Sequence, residues 1–300
     1  MRAVVLNSFA GIDGLELAEL PTPTPADGEV LVRVKAASLG PWDLSAAGGA
    51  FASQGGSSAF PQVQGWDFAG ETVDGRQVLG FVAQPWMGVG ALAEEIPVPT
   101  AILASVPDSL GFEEASALPV STLTARLLVD AAKVGDGDLV LVTGAAGMVG
   151  GFALQLAVRR GARVLAFVRS SDTEEARRLG AETTFDSAEK LAGAIRSEWR
   201  DGVDSCIDTV GLGAQGVECV RDGGTFVTSL PTAVPDAVRD ITPSTVQVQP
   251  DAGALAELAS QAAAGELTVR IAEVLPLERF REGYDRLQRG GLRGKIVLTP

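Results

Sequence analysis

Histidine is absent from this 300-residue chain, and only two cysteines and one tyrosine are present. Without imidazole, Ser–His–Asp and Cys–His nucleophile schemes are excluded. A zinc site would have to be built from Cys, Asp and Glu alone, and Cys206 and Cys219 belong to no cysteine cluster, so no metal site is expected. Two thiols make no disulfide framework. Cys206, in the strand-like run Val203-Asp204-Ser205-Cys206-Ile207, reads as a buried inert thiol. Positive charge is also scarce: 24 Lys and Arg stand against 38 Asp and Glu, a net charge of −14. Such a surface repels nucleic acid and anionic membranes, so neither is an expected partner. No apolar run reaches the roughly 20 residues that span a bilayer. Met1–Leu6 reads as a short strand rather than a secretory leader, so a cytoplasmic location is expected. Aromatic residues make up 5% of the chain, which makes Trp42, Trp66 and Trp86, three of its four tryptophans, informative by their proximity in sequence.

What is present is ordinary for a globular protein, with 46% hydrophobic residues, and the length suggests two domains. Residues 1–115 are β-rich. Glu29–Ala36 alternates apolar and charged side chains, and further strands are expected at Ala3–Leu6, Leu15–Leu20, Asp67–Val73, Gln77–Val82 and Ala91–Val98. A Gly/Ser/Ala-rich stretch, Ala46–Phe60, reads as a mobile loop of the kind that covers sites. Over residues 116–255 strands alternate with helices. Strands are expected at 139–143, 163–168, 182–185, 203–208, 224–229 and 245–249, with a helix over Ser187–Trp199 capped by Ser187. That rhythm predicts an α/β domain with a doubly wound parallel sheet. Residues 256–300 follow, with a helix near Leu277–Gln288 and a closing strand Lys295–Leu298.

The most informative motif is Gly144-Ala145-Ala146-Gly147-Met148-Val149-Gly150, which follows the apolar strand Leu139–Thr143 and opens an amphipathic segment, Met148–Gly161. Strand, glycine turn and helix form the phosphate-binding start of a dinucleotide fold, where backbone N–H groups and the helix dipole hold a pyrophosphate. Aligned to G-x-G-x-x-G, the first glycine is Ala145, which fits if its φ is negative. Ala145, Ala146, Gly147, Met148 and Val149 are the expected cofactor-binding residues of the turn. About 20 residues on, an NAD site usually carries an acid for the ribose 2′-hydroxyl. Here the second strand ends in Arg169-Ser170-Ser171, with no acid before Asp172. A guanidinium can hold a 2′-phosphate bidentately, so Arg169 and Ser170 predict NADP(H). Ser171 or Asp172 is expected to cap the helix that follows.

Several further segments resemble the zinc-independent quinone oxidoreductase branch of the medium-chain dehydrogenase/reductases. They are Ala36-Ala37-Ser38-Leu39 with Pro41 and Asp43; Gly65-Trp66-Asp67-Phe68-Ala69-Gly70; Gly90-Ala91-Leu92-Ala93-Glu94; Ala117-Leu118-Pro119 with Leu123-Thr124-Ala125; Leu179-Gly180-Ala181; and Gly294-Lys295-Ile296-Val297-Leu298. The resemblance implies a GroES-like irregular β-barrel domain completed by residues 256–300, a Rossmann domain, an NADP(H) site in the cleft between them, and a homodimer. It implies reduction of quinones or of the C=C bond of α,β-unsaturated carbonyl compounds. The chain departs from that pattern at Gly40, where relatives often carry Asn, and at Ser45 and Phe51, where they often carry tyrosines.

In such chemistry the nicotinamide carries the hydride, and the protein aligns it and stabilises the developing oxyanion. Ser45 is the candidate donor to that oxygen, and Asp43 and Asp67 are the carboxylates the family motifs place nearby. The favoured roles are structural, Asp43 capping a helical turn and Asp67 binding backbone amides. Gly40, Trp42, Phe51, Trp66 and Trp86 are expected to line a flat apolar pocket for a planar substrate. Pro41, Thr124, Thr209, Val210 and Lys295 complete the expected cofactor contacts, Lys295 alternatively pairing with an acid. Two other readings stand beside this one: a tailoring or enoyl reductase of a polyketide-like pathway, and a non-catalytic NADP(H)-binding protein.

Overall fold

A computed structural model describes residues 1–300, and the chain divides into two units, Met1–Val120 with Gln249–Pro300, and Ser121–Val248.

The second unit is a six-stranded, all-parallel sheet. Taking its strands in chain order as Leu139–Thr143, Arg163–Phe167, Thr183–Phe185, Val203–Asp208, Val220–Thr228 and Ser244–Thr245, their spatial order is third, second, first, fourth, fifth, sixth. This is the doubly wound dinucleotide-binding order, whose direction reverses between the first and fourth strands, where ligands bind at the carboxyl ends. Leu139–Thr143 is buried at every position, because a central parallel strand is covered on both faces. Leu141, Leu165, Val203, Cys206 and Phe226 form the core together with Leu191 and Ile195. The final strand is two residues long rather than the five expected, its polar residues Ser244 and Thr245 exposed at the sheet edge. The segment after Ser187 begins as a 3₁₀ turn, Ala188–Lys190, before the helix Leu191–Glu198, and Ser187 provides no side-chain cap.

The first unit is antiparallel apart from its last pair. A seven-stranded sheet is organised on Glu29–Leu39, which pairs with Asp67–Thr72, Glu95–Pro99 and Lys295–Thr299, and a smaller sheet joins Arg2–Leu6 to Leu15–Glu19 and Gln62–Val63. Lys295–Thr299 also pairs in parallel with Ile271–Pro276. Residues distant in sequence thus enter one sheet, and Leu39, Phe68, Ile296, Leu298 and Tyr284 share one core. The stretch expected to be a loop, 46–60, closes the helix Pro41–Ala47 and holds a 3₁₀ turn, Ala52–Gln54. It is tied down by Gly56 N–H to Phe51 O at 3.0 Å, Ser57 N–H to Pro85 O at 2.7 Å and Trp86 Nε1 to Gln54 O at 3.2 Å. No helix of the chain is long and apolar enough to cross a membrane.

Candidate functional site

In the second unit the glycine turn lies at the switch point, between the ends of Leu139–Thr143 and Val203–Asp208. Ala145 has no positive φ, as its place at the first glycine position of the alignment required. Gly144, not Ala145, takes the left-handed conformation, at φ +63°, and a Cβ there would stand 2.7 Å from Thr209 Oγ1 and 2.5 Å from Val210 Cγ1. A Cβ on Gly150 would stand 2.3 Å from Gly144 O, so this glycine lets the helix Met148–Arg159 pack against the strand end. Gly147 is the helix N-cap, and a Cβ there would meet only Gly144 O, at 3.2 Å. Gly144 thus adds a glycine ahead of Ala145-x-Gly147-x-x-Gly150, with Ala145 and Ala146 buried inside the turn. The amides of Met148 and Val149, in the first turn of the helix, have no acceptor within it. Amides so placed at a helix N-terminus are able to hold an anion.

Asp208 fixes the facing loop. Fully buried, it accepts from Thr143 Oγ1 at 2.6 Å, from the amides of Val210 at 3.2 Å and Gly211 at 3.0 Å, and, through its second oxygen, from Gly213 N–H at 3.0 Å. Thr209 completes the clamp, its hydroxyl donating to Thr143 O at 2.7 Å. Thr209 and Val210 are thereby held beside Gly144. The role of Asp208 was missed in the sequence, although an acid followed by Thr-Val-Gly at a strand end carries the signature of an Asx turn.

Arg169 projects from the end of the second strand, its side chain 61% exposed. It is not an isolated cation. Its Nε donates to Asp172 Oδ2 at 2.7 Å, so Asp172 orients the guanidinium instead of capping the next helix. Ser170 donates to Asp186, an exposed acid at the end of the neighbouring strand. Two acids therefore border the position expected for a 2′-phosphate. Thr124 is buried on the helix Pro119–Ala131.

In the first unit, side chains from four segments meet. Lys295, 3% exposed, donates to Asp67 Oδ2 at 2.8 Å and lies 4.3 Å from the centroid of the Trp42 ring. Asp67 also accepts Val120 N–H at 2.8 Å, as its amide-binding reading required. Burial pushes the Asp67 carboxyl up, against the opposing pull of the Lys295 charge. Lys295, expected at the cofactor, is thus committed to an acid and an indole inside its own unit.

Asp43 is the third residue of the helix Pro41–Ala47, and its Oδ2 accepts Gly40 N–H at 2.7 Å, closing the helix N-terminus. Its Oδ1 and the Tyr284 hydroxyl are buried without a partner. Burial pushes the Asp43 carboxyl up to about 7, with Asp67 adding to the rise and the Gly40 hydrogen bond and Lys295 opposing it. Burial, with the Asp43 charge, also drives the Tyr284 phenol upward. Asp43 is therefore a buried positioning group for the helix that carries Pro41, Trp42 and Ser45. Ser45, expected to donate to substrate oxygen, donates to Pro41 O at 3.2 Å within the helix instead.

A carboxyl raised in the folded state holds its proton where the unfolded chain has lost it. Stability therefore falls as pH rises from about 4 to about 7, by up to about 1.4 kcal/mol per pH unit. Asp43→Asn keeps the acceptor for Gly40 and removes the titration. Urea unfolding should show a flatter pH dependence across that window, with the variant at least as stable as the parent above it. Parallel curves for the two proteins would show that Asp43 does not titrate there.

The tryptophans do converge, on one another. Trp66 is the hub: Trp42 lies 6.4 Å away at 53°, Phe51 5.7 Å away, Trp86 6.1 Å away and edge-on, and Phe81 stacks at 6.4 Å and 10°. Phe51 also meets Trp86, at 5.2 Å. The result is a continuous aromatic face, buried at Trp66 and exposed at Trp86, rather than an empty slot between separate rings.

A zinc-binding dehydrogenase family profile matches residues 179–298. The chloroplast envelope quinone oxidoreductase homolog of Arabidopsis thaliana is 30% identical over the whole of this chain and 98% of its own length. The NADPH-dependent alkenal/one oxidoreductase of the same plant, a chloroplastic protein, is 27% identical over the whole chain and 80% of its own. Among solved structures, the quinone oxidoreductase of Coxiella burnetii superposes with a TM-score of 0.91 at 26% identity, covering 100% of this chain and 99% of that one.

Proposed function

The chain belongs to the quinone-oxidoreductase-like branch of the medium-chain dehydrogenase/reductase superfamily, and on that premise we propose that it is an NADPH-dependent reductase of quinones or of activated C=C bonds in α,β-unsaturated carbonyl compounds. The observation that carries this reading is the glycine cradle at the sheet's switch point, with Thr209 and Val210 clamped beside it and Arg169 outward at the next strand end. Met148 and Val149 would hold the pyrophosphate and Arg169 the 2′-phosphate. Bound there, the cofactor supplies a hydride from its nicotinamide C4. The residues of this chain then bind and orient: the aromatic face receives a flat apolar acceptor, and the Asp43-closed helix fixes Trp42. Ser45 donates to Pro41 O, and in this reading the proton that completes reduction is taken from solvent.

The proposed chemistry uses no zinc, despite the name of the matching profile. The sequence has no histidine, Cys206 and Cys219 are both buried, and no three Cys, Asp or Glu side chains gather where they could hold a metal ion.

Steady-state oxidation of NADPH and NADH against a panel of quinones and enones tests the reading. NADPH should be consumed with at least one class of acceptor. Arg169→Ala should raise KM for NADPH about tenfold or more while changing KM for NADH less than about twofold. Equal effects on both cofactors would remove Arg169 from the phosphate site, and absence of turnover across the panel would overturn the enzymatic reading.

A further inference from the structure

Gly40 and Trp42 occupy one volume. A Cβ built on Gly40 would stand 2.3 Å from Trp42 Cζ2, 2.4 Å from Cε2 and 2.6 Å from Cη2, far inside van der Waals contact. The backbone at Gly40 is extended, at φ −136°, so its conformation does not demand glycine; the indole does. That indole is fixed from two further directions, by the Lys295 ammonium 4.3 Å from its centroid and by Trp66 at 6.4 Å. It continues the aromatic face through Trp66 to Phe51 and Trp86.

We infer that Trp42, seated in the space a residue-40 side chain would fill and anchored by Lys295, is the specificity-determining residue of the acceptor face, selecting planar ring acceptors over small open-chain enones. The inference rests on the proposed reductase activity. A ring acceptor gains stacking contacts on an indole that is already immobilised, so little ordering cost opposes them. An open-chain enone offers the same carbonyl but no ring, and gains nothing from the fixed indole.

The test uses Trp42→Ala, Gly40→Leu and the double variant. Three quantities are measured: the ratio of kcat/KM for menadione to that for methyl vinyl ketone, the affinity for menadione by equilibrium dialysis, and Tm. Trp42→Ala should lower the ratio by about tenfold or more, the range set by one apolar pocket contact, and weaken menadione binding. Gly40→Leu should lower both the ratio and Tm, because leucine evicts the indole. The double variant should melt no lower than Trp42→Ala alone, since the leucine then fills vacated space. An unchanged ratio in Trp42→Ala, or a simple sum of the two Tm losses in the double variant, would overturn the inference. If the parent reduces no acceptor, the reductase reading fails. The dialysis arm then decides: weaker menadione binding in Trp42→Ala sustains the role of the indole, and equal binding ends it.

Discussion

Lys295→Met should cost about 3–5 kcal/mol of stability, the cost of leaving a buried charge without its partner, and lower Tm by roughly 6–20 °C. Methionine preserves much of the volume, so the loss reports the charge and not a cavity. Asp67, fully buried, would lose the cation 2.8 Å away and keep only the Val120 amide and the more distant Ser38 hydroxyl. Trp42 would lose the ammonium beneath its ring. Two controls identify the cause. Adding Asp67→Asn to Lys295→Met removes the orphaned charge while keeping an acceptor for Val120, and should recover a large part of the loss. The deficit of the single variant should also shrink at low pH, where Asp67 can take a proton. A single variant as stable as its parent would show that the pair does not hold the first unit together.

Gly147→Val should abolish nucleotide binding while leaving the fold nearly intact. The Gly147 backbone has φ −75° and ψ 177°, a conformation open to any residue. Its absent Cβ would meet one atom, Gly144 O at 3.2 Å, a tight contact that the turn must ease by a few tenths of an ångström rather than a collision. The valine methyls would then stand where the pyrophosphate must approach the backbone. Titration of NADPH should show affinity falling at least about 100-fold, a loss of about 2.8 kcal/mol, with Tm of the free protein moving little. Gly150→Val is the contrast: its Cβ would collide with Gly144 O at 2.3 Å, so it should unfold the turn rather than merely block it. Undiminished NADPH binding by Gly147→Val would place the cofactor elsewhere.

The parallel sheet was legible in the sequence because its strands are apolar runs separated by helix-length segments, a local pattern. The glycine turn was legible as a motif, but the part Gly144 plays in it was not. The spacing of Gly144, Gly147 and Gly150 does not say which glycine carries the positive φ, since that depends on how closely Thr209 and Val210 approach. Side-chain fates were less visible. Arg169 and Asp172 are three residues apart, close enough to pair wherever the chain turns, yet the sequence pattern read Ser171 or Asp172 as a helix cap. Ser45 had a competing carbonyl four residues back, at Pro41, which becomes decisive only once the segment is known to be helical. The Asp67–Lys295 pair spans 228 residues of chain and arises from strand pairing that no local pattern encodes. The tryptophans were suggestive in number, but Trp42 filling the place of a residue-40 side chain is a consequence of packing alone.

The central claim is that a hydride moves from a nicotinamide held on this glycine cradle to the carbon of an electrophilic double bond or quinone. The most direct measurement is transfer of deuterium from NADPH labelled stereospecifically at C4, with the product examined by mass spectrometry and NMR. With an enone acceptor, one label should appear at the β-carbon of the saturated product, while the α-hydrogen should come from solvent and so carry deuterium only when the reaction is run in D₂O. Unlabelled product from both C4 epimers of the cofactor, or label released to water, would contradict the account.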